Sequence, residues 1–131
     1  MTYNNRLEDI FMYRIKSTDL GTIDVSEEVV ETIAGMAAID CYGLVGMAPQ
    51  NIQSGITSIL GLESIRKGVT VELNENGLVI DVNVIVGYGT KINEVAHNVM
   101  QKVAYVVNKD VGLPVAGVNV NIRGVKVIRE K

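Results

Sequence analysis

The residues best placed for chemistry lie in Gly87-Tyr88-Gly89-Thr90-Lys91, where an alternating apolar run gives way to a helical one. Two glycines and a lysine at a helix start are the parts of a phosphate cradle, which uses backbone N–H groups and an ammonium against an anion. The glycine spacings of the dinucleotide and P-loop fingerprints are absent, so the segment reads as a strand-to-helix turn. A second glycine pair, Gly43-Leu44-Val45-Gly46, has the spacing of a loop that clamps nucleic-acid backbone. Its neighbours Cys41, Tyr42 and Met47 supply no cation to hold phosphate. His97 is the single histidine and Cys41 the single cysteine, so neither an internal disulfide nor a cysteine-rich zinc site can form. No nucleophile stands beside a base, and no carboxylates are paired. The sequence therefore assigns no catalytic residue, no metal ligand and no cofactor site. It marks Tyr88, Lys91, Glu94 and His97 as the edge of a contact surface for a partner, without chemistry of their own.

These residues need elements to position them. Leu78, Ile80, Val82, Val84 and Val86 line one face of a strand, with Asp81, Asn83, Val79 and Ile85 on the other, paired as a hairpin with Val69–Leu73 across Asn76-Gly77. From Lys91 to about Val111, Ile92, Val95, Val99, Val103 and Val106 form one helical stripe, broadened by Ala96, Met100, Ala104 and Val107. Thr90 is the predicted N-cap and Gly112 the C-cap, with Pro114 blocking continuation. Upstream, Gly21–Val25 reads as a strand, and Ser26 caps a helix with Glu27 and Glu28 in its first turn. That helix carries Val29, Ile33, Met36 and Ala37 on one stripe, widened by Val30, Ala34 and Cys41. Its small residues Ala34, Gly35, Ala37 and Ala38 predict close packing, and Gly43 is its predicted C-cap. Residues 50–67 predict one or two short helices around Ile52, Ile56, Ile59, Leu60 and Ile65. Val118, Val120 and Ile122 form a last strand. After Gly124 the apolar phase moves to Val125 and Val127, which predicts a β-bulge. Residues 1–16 read as a mobile extension, or as a short helix using Leu7, Ile10, Phe11 and Arg14. Residues 17–131 form a single domain.

The element order predicts an α+β fold, a two-layer sandwich of split β-α-β-β-α-β type, KH-like or ferredoxin-like, with two helices on one face of a small sheet. Val79, Ile85, Val125 and Val127 fall on the other face, where self-association or a partner would cover them. The chain is 47% apolar with no tryptophan and one phenylalanine, so its core is built from small aliphatic side chains. A formal charge of −3 lacks the basic footprint that nucleic acid or an acidic membrane calls for. No apolar run reaches the roughly 18 residues that span a bilayer, and the N-terminus lacks a signal-peptide core. Direct membrane insertion is not expected, and the predicted location is the cytoplasm.

The segments GTIDVSEEVVETIAGMAAIDCYGLVGMA, KGVTVEL, VNVIVGYGTKINEVAHNVMQKVAYVV and GLPVAGVNVNIRGVKV, taken in order, resemble the alkaline-shock-protein family of Gram-positive bacteria, also called the Gls general-stress family. The most distinctive pieces are Tyr42-Gly43-x-x-Gly46-Met47-Ala48 and Tyr88-Gly89-Thr90-Lys91-Ile92-x-Glu94-Val95-Ala96. The resemblance runs from about Lys16 to Val127. It implies a small cytoplasmic protein of cell-envelope stress and homeostasis, non-enzymatic, self-associating, and held at the inner membrane face through a membrane-anchored protein partner. Two other readings of the same residues are a KH-like RNA-binding module and a binder of an acyl chain between helices and sheet.

Overall fold

A computed structural model describes residues 4–7, 10–49 and 61–127. Strand β6 (Gly77–Gly87) is its axis. On one side β7 (Val115–Lys126) runs parallel to β6 along almost its whole length. On the other side two strands share the edge end to end. Strand β5 (Val69–Asn74) pairs antiparallel with the first half of β6, and β4 (Leu44–Met47) with the second half. Asn83 sits at the joint. Its N–H donates to the Gly68 carbonyl at 2.8 Å, and its own carbonyl accepts the Ala48 N–H at 3.0 Å. The β5–β6 hairpin turns where predicted, with the Asn74 carboxamide oxygen accepting the N–H groups of Asn76 and Gly77.

Helices α1 (Glu27–Ile39) and α3 (Ile92–Val111) cover one face of this sheet, with the short α2 (Leu62–Lys67) against α1. The alternation in β6 sets the layer: Leu78, Ile80, Val82, Val84 and Val86 are each 0% exposed. Over them α3 lays Val95, Val99, Val103, Val107 and Val111, one every four residues. The α+β two-layer sandwich is thus the predicted one. On α1 the buried face is Val30, Ala34, Gly35, Ala37 and Ala38, rotated from the predicted stripe, so that Val29 and Met36 are exposed. The smallest side chains face inward because two helices crowd that side. A Cβ on Gly35 would lie 2.5 Å from Ile65 Cγ2 and 2.9 Å from the Ile65 carbonyl oxygen of α2.

The structure departs from the sequence reading in several places. Strand β3 (Gly21–Ser26) does not enter the β6 sheet. It pairs antiparallel with β2 (Ile10–Thr18), which pairs in turn with β1 (Asn4–Leu7), giving a separate three-stranded sheet. Residues 10–16, predicted within an extension or a short helix, therefore form most of β2. Tyr13 explains why: it is 3% exposed within the core, and neighbouring Arg14 pairs with Asp24 of β3 at 2.9 Å. The main sheet takes β4 as its fourth strand, a segment the glycine pattern had reserved for a turn. Helix α1 ends on Asp40, and Gly43 serves the next turn. The predicted helices of residues 50–60 lie outside the described residues, and Ile65 belongs to α2.

The bulge is found. Ile122 faces Val84 and Gly124 faces Ile85, which leaves Arg123 as the extra residue, and a second bulge leaves out Ala116. The phase shift puts Val125 opposite Val86 on the helix side. The sheet face away from the helices is accordingly less apolar than predicted. Val79 and Ile85 are half-buried there beside a polar ladder, in which the Asn119 amide donates to Asp81 at 2.6 Å and the Asn121 amide to Asn83 at 3.2 Å.

Candidate functional site

The two distinctive sequence pieces, more than forty residues apart, meet at the start of α3. The Gly87 N–H donates to the Gly43 carbonyl at 3.0 Å, which ties the turn after α1 to the turn after β6. Gly43 has φ +92°, and a Cβ there would stand 2.8 Å from Val95 Cγ2. Gly43→Ala is expected to cost about 1–3 kcal/mol in a chemical-unfolding curve, from the left-handed backbone and the Val95 contact together. Thr90 is the predicted cap of α3, yet Lys91 holds that position, because the Thr90 hydroxyl is spent donating to the Gly87 carbonyl at 2.8 Å.

A shallow cleft of about 250 Å³ opens between these turns, lined by Tyr42, Gly89, Thr90, Lys91, Glu94, Val95 and Asn98. Of the four residues marked in the sequence, Lys91 and Glu94 line it. Tyr88 is 75% exposed at the start of the adjoining turn, and His97 is exposed on α3 outside the cleft. The structure adds Tyr42, 91% exposed, and Asn98. Tyr42 was within reach of sequence reasoning through its distinctive Tyr-Gly piece. Asn98 carried no signal, since only the fold brings it to Tyr42.

The cleft does not read as an anion site. The Glu94 carboxylate shares the lining with Lys91, and the Thr90 hydroxyl is already committed. The glycine pair 43 and 46 is not a clamp either, because residues 44–47 are strand β4 and Gly46 pairs with Ile85. Nor is Cys41 an activated thiol. Burial pushes its pKa up, only partly opposed by Lys102, and its Sγ donates toward the Ala37 carbonyl. Among the described residues no three His, Cys, Asp or Glu side chains converge as a metal would require. Nor is any described helix long and apolar enough to cross a membrane.

A second cluster gave no sequence signal. The Tyr13 hydroxyl donates to Glu27 at 3.3 Å, and Glu31 lies one turn further along α1. Burial, then the Glu27 charge, pushes Glu31 up to about 7, against the pull of Arg66. Burial and the same Glu27 carboxylate raise the Tyr13 phenol.

Residues 15–127 match the model of the alkaline shock protein 23 family, described as having a cell envelope-related function. The uncharacterized protein YloU of Bacillus subtilis (strain 168) is 51% identical over 111 residues, 84% of this chain and 92% of that protein. The uncharacterized protein Spy1614 of Streptococcus pyogenes serotype M6 is 35% identical over 87% of this chain and 95% of its own length. A stress response regulator gls24 homolog of Streptococcus pyogenes serotype M3 is 24% identical over 81% of this chain and 59% of its own. No solved structure matches. The match over residues 15–127 and the shared length with YloU place the chain in the group its motifs resemble: it belongs to the alkaline shock protein 23 family, which takes in the Gls24 proteins.

Proposed function

We propose that this chain is a non-enzymatic interaction protein of the cell-envelope stress response. It works in the cytoplasm, associates with itself, and is recruited to the inner membrane face by a membrane-anchored protein. The observation that supports this most is the convergence of the two distinctive sequence pieces on one exposed face. There Tyr42 stands almost free of the core beside Lys91 and Glu94, with Tyr88 exposed in the adjoining turn. Exposed tyrosines flanked by charge are the residues that anchor protein contacts, since they bury a large area at little entropic cost. His97 is exposed on α3 one turn beyond Glu94.

The RNA-binding alternative loses its loop to β4. The acyl-chain alternative finds the space between helices and sheet occupied by Val30, Ala34, Val82, Val84, Val99 and Val103, each 0% exposed. Alanine at Tyr88, Lys91, Glu94 and His97 together is expected to leave the melting temperature within about 2 °C. Such surface changes cost little stability. The same variant is expected to lose at least tenfold in partner affinity, measured against proteins solubilised from native membranes. Unchanged binding would remove this face from the account.

A further inference from the structure

Strand β7 has β6 on one side and, among the described residues, no strand on the other. It is 12 residues long, yet Val115–Ile122 contains no charged residue and no proline, the usual devices that keep a free edge from pairing. The bulges at Ala116 and Arg123 bracket a regular run, Gly117–Ile122. Within it residue types are symmetric about Val120: Val118 mirrors Ile122, and Asn119 mirrors Asn121. Asn119 and Asn121 each spend one amide hydrogen on β6, and their carboxamide oxygens remain available as acceptors.

The flank of this edge is apolar on the helix side. Lys102–Asp40 and Cys41–Asn98 contacts mark the side of α3 that faces α1. On the opposite flank Met100 is 39% exposed. Ile92, at the start of α3, is 44% exposed, and Val125 beyond the run is 47% exposed.

We infer that the occupant of this edge is a second copy of the chain, its β7 added antiparallel about a two-fold axis at Val120. This reading rests on the self-association proposed above and says where it occurs. Val118 then packs on Ile122 of the second copy beneath the two α3 helices. On the other face Asn119 exchanges amide hydrogen bonds with Asn121 of the second copy. A two-fold contact requires such a self-complementary patch, and β7 carries one.

The test uses the full chain with Cys41→Ser. The double variant Asn119→Cys/Asn121→Cys is expected to give a covalent dimer on mild oxidation. Either single cysteine is expected to give none, because each would meet its own copy two residues out of register, beyond disulfide reach. Light scattering of the parent chain is expected to give about twice 14.2 kDa. Asn119→Lys/Asn121→Lys, which sets lysine against lysine across the axis, is expected to weaken the dimer at least tenfold with folding checked by circular dichroism. A dimer that survives the lysines and resists the double-cysteine cross-link overturns the edge while self-association stands. A monomer at every concentration overturns both, and leaves the edge to an extended segment of a different protein.

Discussion

Asn83→Ala is expected to lower the unfolding free energy by about 2–3 kcal/mol. Asn83 is 1% exposed on the central strand. Its amide donates to the Gly68 carbonyl at 3.3 Å, and its carboxamide oxygen accepts from Asn121 at 3.2 Å and from Arg123 Nε at 3.1 Å. Alanine leaves the Gly68 carbonyl satisfied by the Asn83 N–H, so that acceptor is not orphaned. The loss comes from the Asn121 amide and the Arg123 guanidinium, whose shared acceptor disappears, and from the void left in a closed site. The position has a consequence for the candidate site. Asn83 joins the ends of β4 and β5, and β4 begins at the turn that carries Tyr42 and Gly43. Urea unfolding of the two proteins measures the difference. A loss below about 0.5 kcal/mol would show that the joint holds without this side chain.

The second large effect is a pH dependence. Glu31, held up to about 7 in the folded chain, has an ordinary value of 4.5. A raised carboxyl pKa means that the folded state keeps its proton over a range where the unfolded state has lost it. The contribution of this group is therefore fully present below the unfolded pKa and is lost as pH rises through about 7. The full shift would correspond to roughly 3 kcal/mol. Glu31 is only partly buried, and solvent screening reduces this to about 1–2 kcal/mol. Relative to the parent chain, Glu31→Gln is expected to be nearly neutral at about pH 3, below the unfolded pKa, and stabilising by that amount at about pH 8. Urea unfolding at the two pH values measures it, and parallel pH profiles would dispose of the raised Glu31 pKa and of the burial and Glu27 charge invoked for it.

Much of the fold was legible because it is written in periodicity. The β5–β6 hairpin, the long α3 stripe and the caps at Ser26 and Gly112 depend on neighbours within a few residues, and each is found. The bulge at Arg123 was legible for the same reason, as a break in the alternation. What depends on distant partners was not. β4 is four residues containing a glycine, and it is a strand because β6 offers it an edge. β2 shows no clean alternation, and it is a strand because β3 offers it an edge and Tyr13 reaches the core. At the candidate site, Lys91 and Glu94 were visible as one helix start. Asn98 follows Glu94 by one turn of the same helix, but the approach of Tyr42 to all three depends on the Gly43–Gly87 hydrogen bond, which no local pattern encodes.

Sedimentation of the purified chain with membranes tests the central claim most directly. Native membranes, the same membranes stripped of exposed protein by protease, and protein-free vesicles of the same lipids would be compared. Recruitment by a protein predicts co-sedimentation with native membranes alone, reduced at least tenfold in the variant with alanine at Tyr88, Lys91, Glu94 and His97. Equal binding to protein-free vesicles, or no binding to native membranes, would contradict it.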